Sequence, residues 1–275
     1  MVSLKYSVLM SVYYKEKPEY LRESISSMLQ QSIIPDEIVL IKDGPLTDQL
    51  EIMIDEFKDN DIIKVISLDE NVGLGKALNI GLSNCRNELI ARMDTDDIAD
   101  KNRCERQLDL FNKDKKISVV GTVIEEFIDY PSNPVSYRKV KIENREIRKQ
   151  IKYRNPMSHP SVMLKKSDVL KAGNYQHWLL NEDYYLWIRM VQHGFIFKNI
   201  NEPLVKMRIN NETYLRRGGW KYFATQKDLF GYMLKSDLIN VFEYLFNIII
   251  CFVTRVLLTN KMRKFFYLRI LRSKQ

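Results

Sequence analysis

Cysteine is scarce in this chain of 275 residues: Cys85, Cys104 and Cys251 are an odd number with no paired spacing. That argues against a disulfide or zinc framework and suits a reducing cytoplasm. Histidine is equally rare, and with no second histidine at ligand spacing, His159, just before Pro160, reads as a packed or hydrogen-bonded residue rather than a metal ligand. The glycine-containing run Asn71 to Asn79 has neither G-x-G-x-x-G nor a Gly-Lys-Ser/Thr ending, so a Rossmann dinucleotide enzyme is rejected. No internal repeat or low-complexity linker is visible. A net charge of +8 comes with no zinc-finger or RRM-like pattern, so nucleic acid is not the expected partner. Met1 to Tyr14 holds a single Lys and a short apolar run without a small-residue cleavage site, which reads as a first core strand and not a signal peptide.

What is present is a regular alternation of strand and helix signals. With 45% apolar residues the chain can bury one large core plus a small C-terminal extension. Tyr6 to Tyr14 is an apolar, β-branched run, followed by Pro18 and by Leu21, Ile25, Met28 and Leu29 at helical spacing. Glu37 to Gly44 repeats the strand signal, then Leu50, Ile54 and Phe57 share a helical face. Ile62 to Leu68 predicts a third strand, Gly75 to Ser83 a third helix, and Leu89 to Met93 a fourth strand. This order predicts an α/β fold with a mostly parallel sheet flanked by helices. Ligands bind such sheets at the carboxyl ends of their strands.

Two of those ends carry acids. Asp43 closes the second strand, and Asp94, Asp96 and Asp97 crowd three carboxylates into four positions after the fourth. Such a cluster repels itself unless a cation, backbone N–H groups or open water absorbs the charge, so it invites a divalent metal, which in an enzyme would meet phosphate. Other uses of these residues are open. Asp97 or Asp100 suits a cap for a helix beginning near Lys101, Asp43-Gly44-Pro45 suits a turn, and Glu182 with Asp183 suits the N-terminus of a helix marked by Tyr185, Ile188, Arg189 and Gln192.

Six motifs in order narrow the reading: Ser11-Val-Tyr-Tyr14, Lys42-Asp43-Gly44, Asn71-Val-Gly-Leu-Gly-Lys-Ala-Leu-Asn79, Arg92-Met-Asp-Thr-Asp-Asp97, His159-Pro-Ser161 and Asn181-Glu-Asp183. Together, over roughly residues 5 to 210, the chain resembles the family 2 glycosyltransferases, whose fold is called GT-A. The resemblance implies that Asp43 contacts the uracil or ribose side of a UDP-sugar and that Asp94 faces ribose and diphosphate. It further implies that Asp96, with Asp94, holds Mn²⁺ or Mg²⁺. Lys76 and Asn79 match positions near the nucleotide. Asp183 matches the acid that takes the proton from the acceptor hydroxyl, and Glu182 either holds the acceptor or competes for that role.

Two departures from the family pattern stand out. Many relatives read Pro-Val-Tyr-Asn where this chain has Ser11-Val-Tyr-Tyr14. The segment Pro203 to Asn210 resembles one that often ends in Arg-x-His; Arg208 keeps the planar fork that suits a diphosphate, but Asn210 stands in the histidine position. The long-chain synthase signature Gln-x-x-Arg-Trp is also absent, which points to one sugar added per encounter.

Charge is uneven along the chain: residues 1–100 hold 10 Lys+Arg against 19 Asp+Glu, net −9, and the remainder hold 33 against 16, net +17. From Leu238 to Leu258 the sequence is long enough to span a bilayer but is broken by Asn240, Glu243, Asn247 and Arg255. Asn240, Glu243 and Asn247 share one helical face, with Phe242, Leu245, Phe246, Ile249 and Phe252 opposite. A helix lying in a membrane interface is predicted, beside Lys261, Arg263, Lys264, Arg269, Arg272 and Lys274, with Phe265, Phe266 and Tyr267 interleaved. The alternative is packing on the catalytic domain or on a second copy, as a homodimer. The expected organisation is a catalytic domain over 1–212, with a nucleotide half to about residue 100 and an acceptor half after it, then a tail over 213–275. The expected activity is inverting transfer of a hexose, galactose or glucose, from a UDP-sugar to a polyprenyl-diphosphate-linked sugar of O-antigen or capsule assembly; the alternatives are a transferase acting on a soluble or protein acceptor and an inactive nucleotide-binding scaffold. Its expected place is the anionic cytoplasmic face of the membrane, as a peripheral protein.

Overall fold

The computed structural model describes residues 4–210, 218–259 and 262. The boundary expected near residue 212, and the C-terminal cations and aromatics from Lys261 onward, lie outside the described residues.

The first four strands, β1 (Tyr6–Val12), β2 (Glu37–Lys42), β3 (Ile63–Ser67) and β4 (Leu89–Arg92), are parallel and lie side by side in the order β3-β2-β1-β4. Helices α1 (Pro18–Leu29), α2 (Asp48–Asp55) and α3 (Leu74–Asn84) connect them. Helix α1 starts on Pro18, where a missing N–H costs nothing, and α2 is capped by Thr47 Oγ1, which accepts from Leu50 N at 3.4 Å. The central strands read as unbroken apolar runs because both faces are covered. Val8 and Met10 enter one core with Leu21, Ile25, Leu50 and Met53, while Leu9 enters the other with Ile41, Ala77 and Leu78. Gly81 lets α3 lie close on the sheet: a Cβ there would stand 2.4 Å from Leu9 Cδ1 and 2.9 Å from Ile41 Cγ1.

The second half joins the sheet through antiparallel pairing. Strand β8 (Met163–Lys165) runs antiparallel to both β4 and β6 (Ile117–Phe127), and β7 (Pro134–Arg138) forms a hairpin with β6. The long β9 (Ile196–Arg208) pairs parallel to β6 through several bulges, and its far end pairs antiparallel with the short β5 (Ile98–Ala99). The parallel order of the first hundred residues therefore gives way to a mixed sheet. Helix α4 (Arg103–Lys113) covers one face, starting two residues beyond the expected Lys101; α5 (Asn144–Gln150), α6 (Lys166–Lys171) and α7 (Glu182–Gln192) complete the unit. Pairing of β5 with β9 brings Arg208 back to the turn after β4, where its N–H donates to Asp97 Oδ1 at 3.0 Å.

Two helices close the described chain, α8 (Gly219–Lys235) and α9 (Val241–Phe252), the latter running into a π-helical turn, Val253–Leu257. Asn240 and Glu243 form a capping box at the start of α9. The expected two-faced helix is present, and its polar stripe faces inward. Glu243 pairs with Lys152 at 3.0 Å, Asn247 is buried and donates from Nδ2 to the Lys152 carbonyl at 2.8 Å, and Cys251 is buried beside them. The apolar stripe faces out: Phe242 is 84% exposed, Ile249 61%, Phe246 55% and Leu245 51%. Phe252 instead packs on Trp220 and Phe223. No helix among the described residues is long and apolar enough to cross a membrane.

Candidate active site

Parallel order places the β2 and β4 ends on either side of the end of β1, so Asp43 and the Asp94 cluster share one edge of the sheet. Asp43 is buried, and its oxygens accept from Val72 N at 2.7 Å and Gly73 N at 3.2 Å, which fixes the loop leading into α3. Gly44, with φ +85°, makes that approach possible: a Cβ there would meet Asn71 N at 2.6 Å.

One ligand oxygen each from Asp94, Asp96 and Asp97 lies within 4.8 Å of the others. The second oxygen of Asp97, Oδ2, is buried and has no hydrogen-bond partner. An all-oxygen, anionic set with an unsatisfied buried oxygen fits a hard divalent cation such as Mg²⁺ or Mn²⁺. Burial, then the charges of Asp94 and Glu16, push the Asp96 carboxyl up to about 7. Burial and the two neighbouring acids raise Asp97 well above the ordinary range. Beneath them Asp94 pairs with the buried Arg92, whose role no motif spacing announced. Asp97 is thus a third ligand candidate beside Asp94 and Asp96 and not a helix cap; Asp100 Oδ1 instead accepts from Asn102 N at 2.9 Å just before α4.

Across the cleft, the start of α7 packs on the start of α3. A Cβ on Gly75 would stand 2.9 Å from Glu182 Cγ. This packing holds Glu182 and Asp183 in the wall of a cavity of about 380 Å³ that Asp94 also lines. Asp183 Oδ2 accepts from Asn155 Nδ2 at 2.6 Å and Oδ1 from its neighbour Tyr184 N at 2.7 Å. Burial raises the Asp183 carboxyl, with those two bonds opposing the shift. Burial raises Glu182 as well. Asn155, between α5 and the His159 turn, carries no periodic signal and was not visible in the sequence. His159 is packed as expected, with Nε2 3.0 Å from Tyr175 Oη, and burial followed by the Arg92 charge holds its imidazole well below the usual range, hence neutral.

Lys76 is exposed, in the first turn of α3. Asn79 bridges to the loop before α7, donating to the Tyr175 carbonyl at 3.0 Å and accepting from Asn174 Nδ2 at 2.7 Å. Arg208 reaches the acidic cluster, donating from Nε to the Asp96 carbonyl at 3.3 Å. Its guanidinium also binds Glu23 at 2.7 Å and sits over the Tyr20 and Phe127 rings, so the structure holds it beneath the cluster.

With this geometry in view, comparison with known proteins is direct: the profile of Glycosyl transferase family 2 matches residues 7–173. The chain belongs to that family. A UDP-Gal:alpha-D-GlcNAc-diphosphoundecaprenol beta-1,3-galactosyltransferase of Escherichia coli is 36% identical over 98% of this chain and 97% of its own length. The amylovoran biosynthesis glycosyltransferase AmsE of Erwinia amylovora is 35% identical over 82% of this chain and 84% of its own. Among solved structures, S. aureus TarS superposes with a TM-score of 0.69 at 18% identity, covering 97% of this chain and 46% of TarS. The mannosyltransferase PcManGT of Pyrobaculum calidifontis, solved with GDP-Man and Mn²⁺, superposes with a TM-score of 0.63 at 12% identity, covering 94% of this chain and 71% of its own. These superpositions carry the GT-A fold to this family 2 glycosyltransferase.

Proposed function

We propose that this protein transfers a hexose, galactose or glucose, with inversion from a UDP-sugar to a sugar linked through diphosphate to a polyprenyl lipid, in surface-polysaccharide assembly. The observation that carries the reading is end-to-end similarity to the E. coli galactosyltransferase of that donor and acceptor. Residues up to about 100 form the nucleotide half, 101–212 the acceptor half and 213–275 the membrane-associating tail. Asp94, Asp96 and Asp97 hold Mn²⁺ or Mg²⁺, which when bound neutralises charge on the departing nucleoside diphosphate. Asp183 accepts the proton of the acceptor hydroxyl while that oxygen bonds to the anomeric carbon and the bond from that carbon to the UDP oxygen breaks, leaving UDP. Asn155 and the Tyr184 N–H orient the base, and Glu182 positions the acceptor. Asp43 shapes the uridine side by fixing the loop before α3. The outward apolar stripe of α9, followed in sequence by six cations from Lys261 to Lys274, supports peripheral attachment to an anionic membrane face.

The test is a panel of UDP-sugars incubated with the purified protein, Mn²⁺ and a synthetic GlcNAc-diphosphate-lipid, with and without EDTA, read by product mass. Gain of one hexose that EDTA abolishes is the expected result. Transfer that persists in EDTA, or transfer only to lipid-free acceptors, contradicts the reading.

A further inference from the structure

The segment 151–156, between α5 and the His159 turn, is gripped from two sides. On one side stands α7: Tyr184 Oη donates to the Ile151 carbonyl at 2.5 Å, and Asp183 Oδ2 accepts from Asn155 Nδ2 at 2.6 Å. On the other stands α9: Lys152 Nζ pairs with Glu243 at 3.0 Å, Asn247 Nδ2 donates to the Lys152 carbonyl at 2.8 Å, and Tyr153 Oη donates to Glu243 at 3.4 Å. The Tyr153 ring meets Phe246 edge-on, with centroids 6.2 Å apart. Tyr153 and Asn155 also line the cavity that holds Asp183.

A helix that only packs on the domain and meets a membrane has no need of Asn247. Its side chain is 4% exposed in a helix otherwise rich in Ile, Leu and Phe, and burying an amide costs free energy unless a hydrogen bond offsets it. The offsetting bond goes to a backbone carbonyl, so it fixes the course of the chain at Lys152 and not merely one side chain. From there the turn is closed on itself. Tyr153 N and Arg154 N both donate to the Gln150 carbonyl at 3.0 Å, and Met157 N donates to Asn155 Oδ1 at 3.1 Å. With Oδ1 so occupied, the Asn155 amide presents its Nδ2 to Asp183.

We infer that α9 is a positioning element for the base: Asn247, together with Glu243, holds the 151–156 turn so that Asn155 keeps Asp183 oriented. The inference rests on Asp183 as the base, as proposed above, and gives a second task to the helix whose outward stripe meets the membrane in that reading. Both tasks fall on one helix because Phe246, in the outward stripe, and Asn247, in the inward one, are neighbours in sequence. Releasing the turn costs the chemical step through lost orientation and leaves donor binding at the acidic cluster in place.

The test uses the full chain in detergent micelles, so that membrane recruitment does not limit the rate, with the UDP-sugar and GlcNAc-diphosphate-lipid of the transfer assay. Asn247→Leu and Glu243→Ala are each expected to lower kcat by about tenfold and to leave the Kd for UDP with Mn²⁺ within about twofold of wild type. Because the Asn155 bond opposes the upward push of burial on Asp183, the acid limb of the pH–kcat profile should move to higher pH in both. Glu243→Gln keeps acceptor oxygens for Lys152 and for Asn240 N and is expected to restore kcat. Adding Asn247→Leu to Asn155→Ala should lower kcat no further than Asn155→Ala alone, since both act on one orientation. Hydrogen exchange read by mass spectrometry without acceptor should rise in Asn247→Leu over residues 151–157 and at the start of α7. Unchanged exchange there, a kcat near wild type, losses that add to those of Asn155→Ala, or a UDP Kd that weakens in step with kcat overturn the inference. A failure of the base assignment reads differently: Asp183→Asn then keeps turnover, while raised exchange in Asn247→Leu still supports the grip of α9 on the turn.

Discussion

Asn155 donates from Nδ2 to Oδ2 of Asp183 at 2.6 Å and joins the first turn of α7 to the strand-poor segment between α5 and the His159 turn. With Tyr184 N on Oδ1, both carboxylate oxygens are oriented. An oriented carboxylate in a buried wall is suited to accept a proton from one direction, and the amide that orients it also opposes the upward push of burial on its pKa.

Replacing Asn155 by Ala is therefore expected to lower kcat by about 10- to 100-fold through lost orientation. It should also move the acid limb of the pH profile upward. As the proposed base, Asp183 works deprotonated, so activity falls as pH falls through its pKa, and removing a bond that lowers that pKa brings the fall to higher pH. A pH–kcat profile of the variant whose acid limb stays in place while kcat drops would assign Asn155 to scaffolding alone.

Metal affinity should depend on pH through Asp96. Its carboxyl, pushed up to about 7 in the metal-free protein, must lose its proton before it can bind a cation. Mn²⁺ affinity is expected to rise from about pH 5.5 toward 7, by up to about tenfold per unit for each carboxyl proton that binding displaces. The stripped protein behaves in the opposite sense. A carboxyl raised above its unfolded value favours folding while protonated, so this contribution is present at low pH and is lost as pH rises from the ordinary carboxylate range through about 7. Titration by Mn²⁺ electron paramagnetic resonance at several pH values checks the first, and thermal melts in EDTA check the second.

Gly44→Ala should cost stability and disturb the nucleotide side together. The residue has φ +85°, and a Cβ would meet the Asn71 backbone, which cannot rotate away. A loss of about 1–3 kcal/mol is expected, with weaker UDP binding as the Asp43 bonds to Val72 and Gly73 loosen. Chemical denaturation and UDP titration read the two effects.

Placing acids at Phe242 and Ile249 should leave the catalytic fold intact, since both side chains point outward. Sedimentation with phosphatidylglycerol vesicles is expected to fall by about tenfold or more, with little change in melting temperature. Unchanged vesicle binding would remove α9 from the membrane contact.

The sequence carried much of this arrangement for definable reasons. Strands β1, β2 and β4 were legible because buried parallel strands are continuous apolar runs, and Asp43 and Asp94 to Asp97 because acids at strand ends break those runs abruptly. The mixed second half was less legible: β8 has three residues and β5 two, too short for any period. Helix α9 showed its two faces in the sequence, yet which face turned inward depended on Lys152, about ninety residues earlier. Asn155 and Arg92 act through tertiary placement, which local spacing does not encode. Asn79 and Arg208 were found by motif, but the structure uses them first to hold loops and strands beside the site.

In the proposed reaction, donor binding at the Asp94–Asp96–Asp97 cluster is separate from proton removal at Asp183. Asp183→Asn, measured for Mn²⁺-dependent UDP binding by calorimetry and for transfer by product mass in the same preparation, tests it most directly. A UDP Kd within about twofold of wild type is expected, with transfer reduced by about 100-fold or more. Near wild-type turnover, or loss of UDP binding in step with transfer, would contradict it.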